Sequence, residues 1–420
     1  MNIVFKKIKI IDTNSPYNDL VKDILISNGI ITKIEDNIHL TADKIIEPNN
    51  LFISPGWVDI FSNFCDPGFE YKETLTSGAN AANLGGYTTV FTLPNTKPSI
   101  TTKTQVEYIK NASEKLPIHI HPLGAVTKNV EGNELAEMYD MQQSGAIAFT
   151  DGLHPIQQPE LLLKALQYVK ATNAVIIQLP ILTAISKYGL INEGIHSTQM
   201  GLPGMPDISE HIIIQRDIEI LRYTNSQLHI TGISTAKSID LIRAAKAEGL
   251  NITCSVTPYH LFFCDEDIVN YNTNLKVNPP LRTQADKLAL QAAVLDETID
   301  CIASHHFPED WDNKACEFQY AAFGMIGLQT TYTAIQTILP ALSNNALVNL
   351  LSNNARNIFN LPNASIIEGA TAELTVFSKT ENTILTETSN KSKSFNTPFI
   401  NIQLQGKIFA TFVKQNLFVH

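Results

Sequence analysis

Apolar positions along the chain follow two regimes. In the first fifty residues, short β-branched runs at 8–11, 24–26 and 30–34 are separated by turn formers such as Ser27-Asn28-Gly29. This predicts short strands joined by tight turns. The last fifty residues read alike, with runs at 373–377, 400–404 and 409–413. Two strand-rich ends around a different middle predict a small β-sandwich domain built from both termini, residues 1–52 and 346–420.

The middle alternates. Apolar runs at 52–60, 88–93, 118–126, 146–149, 174–179, 227–233, 251–256 and 300–303 make eight. Amphipathic helical stretches lie between several of them, clearest at 105–115, 160–170, 208–222 and 238–247. Near-continuous apolar strands alternating with helices describe a parallel sheet covered on both faces. Eight such units predict an α/β fold, a (β/α)8 barrel over residues 53–345. The competing arrangement is an open doubly wound sheet, but no G-x-G-x-x-G follows the first strand. In a barrel, chemistry sits where strands end. The positions of interest are therefore 61–65, Asn95, Asp151, Gln178, Gly232, Tyr259-His260 and 304–309.

Composition narrows the function. The 420 residues carry 41 acids against 30 Lys and Arg, net −11, with no basic run. That argues against nucleic acid or an anionic membrane surface as partner. An apolar share of 44% with 17% charged residues excludes long disorder. No apolar stretch approaches the roughly 18–20 residues of a membrane span. The N-terminal residues alternate with charge and predict no secretory leader. Five cysteines, at 65, 254, 264, 301 and 316, form no C-x-x-C and are odd in number, so reduced thiols in the cytoplasm are expected.

The segment Ser54-Pro55-Gly56-Trp57-Val58-Asp59-Ile60-Phe61-Ser62-Asn63-Phe64-Cys65-Asp66-Pro67-Gly68 resembles the amidohydrolase superfamily, specifically dihydroorotases of the long bacterial type. Their pattern there is P-G-x-x-D-x-H-x-H-x-R-[DE]-P-G. The resemblance continues through Lys72-Glu73-Thr74, 85–90, Pro94-Asn95-Thr96, 148–152, 201–206 followed by Glu210, Ser234-Thr235-Ala236, 257–261, 276–282 and 392–399. It spans essentially the whole chain and implies the barrel with its accessory β domain.

The chemical letters differ from the flanks. Phe61 and Asn63 stand where the resemblance implies two metal-binding histidines, and Cys65 where it implies a substrate-gripping arginine. Gln178 and Gly232 replace two further histidines, although His229 is retained. The eighth strand, Asp300-Cys301-Ile302-Ala303-Ser304-His305-His306-Phe307-Pro308-Glu309, has His305 in place of the implied catalytic aspartate. It has Glu309 in place of a substrate-contacting histidine. Of the implied metal-contacting set Asp151 remains, and Asn95 and Asn278 persist at amide-binding positions. A zinc pair needs imidazole, thiolate or carboxylate donors, so no cofactor is expected. Loss of Arg at 65 and gain of Glu309 predict a neutral or negative mouth.

Other arrangements compete. His119-Ile120-His121 places two imidazoles on one strand face, with no third donor nearby in sequence; a structural pair is the plainer reading. A relocated mononuclear site from Asp151, His305, Cys65 and His260 is the alternative metal arrangement. Cys65 as a nucleophile needs a base and a positive setting, and Ser62 lacks a G-x-S-x-G elbow.

Together these predict a catalytically inactive dihydroorotase homologue, resembling the family's non-catalytic members. It would form a homodimer and act as a structural or regulatory partner of aspartate carbamoyltransferase in pyrimidine biosynthesis. The second expectation is an active dihydroorotase or other cyclic amidohydrolase with a rebuilt metal site, which would hold zinc. A third is a small-molecule sensor using the barrel mouth.

Overall fold

The computed structural model describes residues 2–40, 42–47 and 50–420; positions 1, 41, 48 and 49 of the N-terminal β segment lie outside the described residues. Eight barrel positions close on one another in parallel. Trp57–Ser62, Tyr87–Thr92 and His119–Pro122 pair in order. Ile176–Gln178, Leu228–Thr231, Ile252–Val256 and Cys301–Ile302 form a second run. The fourth position is a single residue, Phe149, bridged to Gly124 on one side and Ile176 on the other. The seam closes between Ser62 and His306, with Asn63 N–H donating to the His306 carbonyl at 2.9 Å. The expected barrel is present, and the apolar run at 146–149 forms no strand of its own, joining the barrel through the two bridges of Phe149.

The helices fall where the 3.6-residue period places them, at Lys103–Ser113, Pro159–Lys170, Ile208–Thr224 and Ala236–Ala247. Thr235 caps the last of these by accepting from the Ser238 amide, satisfying a donor the helix itself cannot. Among the described residues no helix is long and apolar enough to cross a membrane.

Both chain ends enter one eight-stranded sheet. Its order runs Asn416–Val419, Gln403–Val413, Leu374–Ile384, Phe52–Pro55, Asn2–Ile10, Val21–Ser27, Ile30–Glu35, with Lys44–Ile46 beside Asn2–Ile10. The apolar run at 52–60 is two strands rather than one. Phe52–Pro55 pairs with the sheet and Trp57–Ser62 with the barrel. Gly56 is the pivot: a Cβ there would lie 2.2 Å from Thr88 Oγ1. The runs at 400–404 and 409–413 likewise merge into the single strand Gln403–Val413. Trp57 joins the two layers, its ring 5.4 Å from Phe377 of the sheet and 5.1 Å from Tyr332 of the barrel.

The barrel interior is a packed core. Val58, Ile60, Val175 and Ile177 point inward at alternate positions and meet Ala355 and Phe359 from below. Phe359 follows the helical turns at Asn344–Val348 and Asn354–Ile358. This stretch packs on the barrel base, with Asn354 Nδ2 donating to the Asp300 carbonyl at 2.8 Å and Arg356 Nη2 to that of Gly56 at 2.9 Å. The C-terminal share of the sheet itself starts at Leu374.

Candidate active site

The strand ends open into a cavity of about 180 Å³ at the C-terminal mouth of the barrel. Phe61, Leu93, Tyr259, Val277, Phe307 and Phe323 supply its apolar wall, and Asn278, His305 and His306 its polar atoms. Pockets for drug-sized ligands run roughly 300–1,000 Å³, so this one suits a small molecule. None of its lining residues is Lys, Arg, Asp or Glu.

His305 is the centre of the floor. Its backbone turns through φ 43° as the chain leaves the eighth strand. The ring lies 4.5 Å from that of Phe61, tilted 31°. Nε2 is 2.8 Å from Thr231 Oγ1, and Nδ1 has no protein partner among the described residues. Burial, with His260 and His229 nearby, drives the imidazole down to about 3, so it is neutral at physiological pH.

The other inherited groups are already engaged. Asp151 accepts from the amides of Val126 and Thr127, both at 2.9 Å, and from the Thr127 hydroxyl. Burial nevertheless raises it to about 6. Gln178 spans the Ile156 amide and carbonyl at 3.3 and 3.1 Å. Asn63 Oδ1 accepts from the Cys65 amide at 3.0 Å. Gly232 leaves room for His305 instead of adding a side chain. Cys65 is buried at φ 60°, and burial pushes its thiol far up, away from the thiolate a nucleophile or metal ligand requires. His260 is held by Thr257 Oγ1 at 2.8 Å and by the Pro279 and Pro280 carbonyls at 3.1 and 3.2 Å.

A zinc pair does not fit this donor set. Asp151 has one oxygen taken by two backbone amides and the other by the Thr127 hydroxyl, and Phe61, Gly232 and the tied amides of Asn63 and Gln178 supply no strong donor. Among the described residues no three His, Cys, Asp or Glu side chains gather to hold a metal ion. The relocated site from Asp151, His305, Cys65 and His260 is not assembled either. His119 and His121 lie on the third strand; His121 meets the Phe91 ring edge-on at 5.9 Å and lines a separate cavity with Phe359 at the barrel base.

Of the expected pocket residues, Asn278 lines the cavity, and its Oδ1 is buried without a hydrogen-bond partner among the described residues. Asn95 instead ties the following loop, donating to the Asp151 carbonyl and accepting from the Leu153 amide, both at 3.1 Å. Glu309 sits behind the wall in an ion pair with Lys72 at 2.8 Å. The mouth is therefore closer to neutral than the gain of Glu309 implied. His306 donates from Nε2 to Glu73 at 3.2 Å while Nδ1 accepts from the Gly327 amide at 3.3 Å. Burial alone would raise Glu73, but hydrogen bonds from His306, Ser392 and Ser77 outweigh it and keep this carboxylate ionised.

Sequence reasoning passed over Thr231 and Ser255, which lie 2.8 Å apart inside the barrel. Their signal was available. Polar residues recur at alternate positions of two buried strands, His229 and Thr231 on one, Thr253 and Ser255 on the next. Lys72 as the partner of Glu309 left no such local trace.

Comparison with known proteins places these features in context. Residues 50–238 match the family model described as "Dihydro-orotase-like". A relative named "Dihydroorotase" from Syntrophus aciditrophicus (strain SB) is 35% identical over 419 residues, covering 99% of this chain and 98% of its own. Another "Dihydroorotase", from Caldanaerobacter subterraneus subsp. tengcongensis, is 37% identical, covering 93% and 92%. Among solved structures, the L-hydantoinase (dihydropyrimidinase) of Arthrobacter aurescens superposes with a TM-score of 0.89 at 20% identity, over 100% of this chain and 96% of that one. This last likeness supports the fold. The expectation of an inactive homologue serving aspartate carbamoyltransferase is overturned by the relatives: at 33–38% identity over nearly the whole chain, they carry the name of the enzyme.

Proposed function

Because the chain belongs to the dihydro-orotase-like family, we propose that it hydrolyses a small cyclic amide at the barrel mouth, with His305 at the reacting centre. One observation carries this reading. His305 presents an unpartnered Nδ1 on a residue lining the cavity, whereas nearly every other polar group inherited at the mouth is satisfied within the protein.

Its neutral imidazole defines the role. A histidine held at about 3 is a weak base and a competent N–H donor. Nδ1–H would donate to the amide carbonyl oxygen as negative charge builds there, the strategy of an oxyanion hole. Asn278 Oδ1 would accept from a ring N–H and fix the ring in plane, since a buried unpaired oxygen gains most from a partner. The water oxygen bonds to the carbonyl carbon and the ring C–N bond breaks. The nitrogen takes one water proton, and the new carboxylic acid releases the other to solvent. The donor set does not fit zinc, and each of these transfers uses water and the chain's own groups.

The test is turnover of L-dihydroorotate and of 5,6-dihydrouracil by the purified chain, with ring opening followed by NMR. Activity is expected with at least one ring and should fall by about 10²-fold in His305→Phe, the scale of a lost oxyanion donor. Failure to open either ring, with or without added zinc, would overturn the proposal.

A further inference from the structure

Below His305 the barrel interior carries a continuous column of hydroxyls and imidazoles. His305 Nε2 is 2.8 Å from Thr231 Oγ1, which is 2.8 Å from Ser255 Oγ. Ser255 Oγ is 3.0 Å from His229 Nε2, and His229 Nδ1 is 2.8 Å from Thr253 Oγ1. The parallel register that sets Thr231 beside Ser255 and His229 beside Thr253 produces this ladder. Its upper end is the floor of the cavity. Its lower end, Thr253, is half-buried at the base of the barrel, whereas Thr231, Ser255 and His229 are fully buried.

We propose that Thr231, Ser255 and His229 form a proton path through the barrel, linking His305 at the cavity floor to Thr253 at the barrel base. Barrel interiors are ordinarily filled by branched apolar side chains. A buried polar column is tolerated because each member is hydrogen-bonded. What marks it as a path is that every member can both donate and accept, with no carboxylate, ammonium or backbone carbonyl fixing the direction of a bond.

Each hydroxyl has one proton, so the column has two concerted arrangements. Pointing up, Thr231 donates to His305 Nε2, Ser255 to Thr231, His229 Nε2–H to Ser255 and Thr253 to His229 Nδ1. His305 then carries its proton on Nδ1, facing the cavity. Pointing down, every bond reverses and Nδ1 is a bare acceptor. Passage from down to up takes one proton at Nδ1 from the new carboxylic acid, after ring opening, and releases one from Thr253 to solvent. The reverse passage delivers a proton from Nδ1 to the departing nitrogen and recovers one at the base. His305 can thus serve in turn as acceptor and donor without an imidazolium persisting at the buried site. This use of the path rests on the hydrolase reading above; the coupling between the two histidines does not.

The coupling is measured without substrate, from histidine side-chain 15N shifts, which report the tautomer. His305→Phe removes the upper acceptor, so Thr231 must donate to Ser255 and Ser255 to His229 Nε2. His229 is expected to shift to the Nδ1–H tautomer. The same shift is expected in Thr231→Val, which provides the readout if His305→Phe does not fold. In a Ser255→Ala background neither substitution should move His229. If His229 is unchanged by His305→Phe or Thr231→Val while Ser255 is present, or shifts equally without it, the path is refuted. Where a ring is turned over, Ser255→Ala should lower kcat by about 10²-fold with KM unchanged. Absence of any turnover counts against the hydrolase reading and leaves the 15N result to decide the path.

Discussion

The imidazole of His305 occupies the space that a side chain at Gly232 would need: a Cβ on Gly232 would lie 2.7 Å from His305 Cε1. The two positions are 73 residues apart in the chain, yet their sizes are matched. A glycine beneath and a large ring above fill the volume together, and neither makes steric sense alone.

Gly232→Ala should destabilise the protein by about 1–3 kcal/mol, combining overpacking against the ring with a non-glycine residue at φ 71°. In a His305→Ala background the steric part disappears and only the backbone part remains. Urea unfolding of the four proteins checks this; an equal loss in both backgrounds would show that the ring is not the obstacle.

Ligand charge should matter. No Lys or Arg lines the cavity, and the nearby Lys72 is committed to Glu309. A ring carboxylate would enter without a counter-ion and lose its hydration. Uncharged 5,6-dihydrouracil is therefore expected to bind more tightly than anionic dihydroorotate, by at least tenfold in calorimetric titration. Tighter binding of the carboxylate would show that a cation reaches the mouth.

The pH dependence has a definite sign. His305 and His229 are lowered to about 3 and His260 to about 4, all chiefly by burial. Unfolded histidines titrate near 6.5, so below that pH the unfolded chain binds more protons than the native one. Stability should fall as the pH drops from about 6.5 towards 4, at up to about 1.4 kcal/mol per pH unit for each such histidine. Replacing His305 by Phe should shallow that slope by about one proton in denaturant titrations. Any turnover should show no break from His305 between pH 5 and 8.

The Lys72–Glu309 pair is shielded, with the Glu309 side chain 4% exposed and that of Lys72 18%. Lys72→Ala strands a buried carboxylate and should cost roughly 3–5 kcal/mol, whereas Glu309→Gln, which leaves an ammonium able to reach solvent, should cost less. A double-mutant cycle by chemical denaturation checks the asymmetry.

Thiol reactivity should rank by burial. Cys65, Cys254, Cys264 and Cys301 are buried and only Cys316 is partly exposed. A disulfide-exchange reagent should modify Cys316 first in the native protein and the other four on unfolding. Fast modification of Cys65 would show that burial does not hold its thiol protonated.

The alternation of apolar runs with amphipathic helices carried the barrel, and the strand-rich ends carried the shared sheet. Both depend on periodicities of 2 and 3.6 residues that are visible within a short window. The substitutions at 61, 63, 65, 178, 232 and 305 were equally legible, since a motif is a local object. Their consequence was not. The replaced letters suggested a dead centre, because a sequence shows which groups are missing from a pattern and not which new neighbours the replacements acquire.

Only the closed barrel decided that His305 would rest on Thr231, 74 positions earlier, that Lys72 would meet Glu309, 237 positions later, and that Asp151 would spend one oxygen on the Val126 and Thr127 amides and the other on the Thr127 hydroxyl. These contacts arise from strand register and closure, which bring distant residues within hydrogen-bond reach without leaving a local periodic signal. Sequence alone therefore determined the scaffold and the chemical inventory of its mouth. Tertiary structure determined which of those groups were already satisfied and which two, the Nδ1 of His305 and the Oδ1 of Asn278, were left without a partner among the described residues at the cavity.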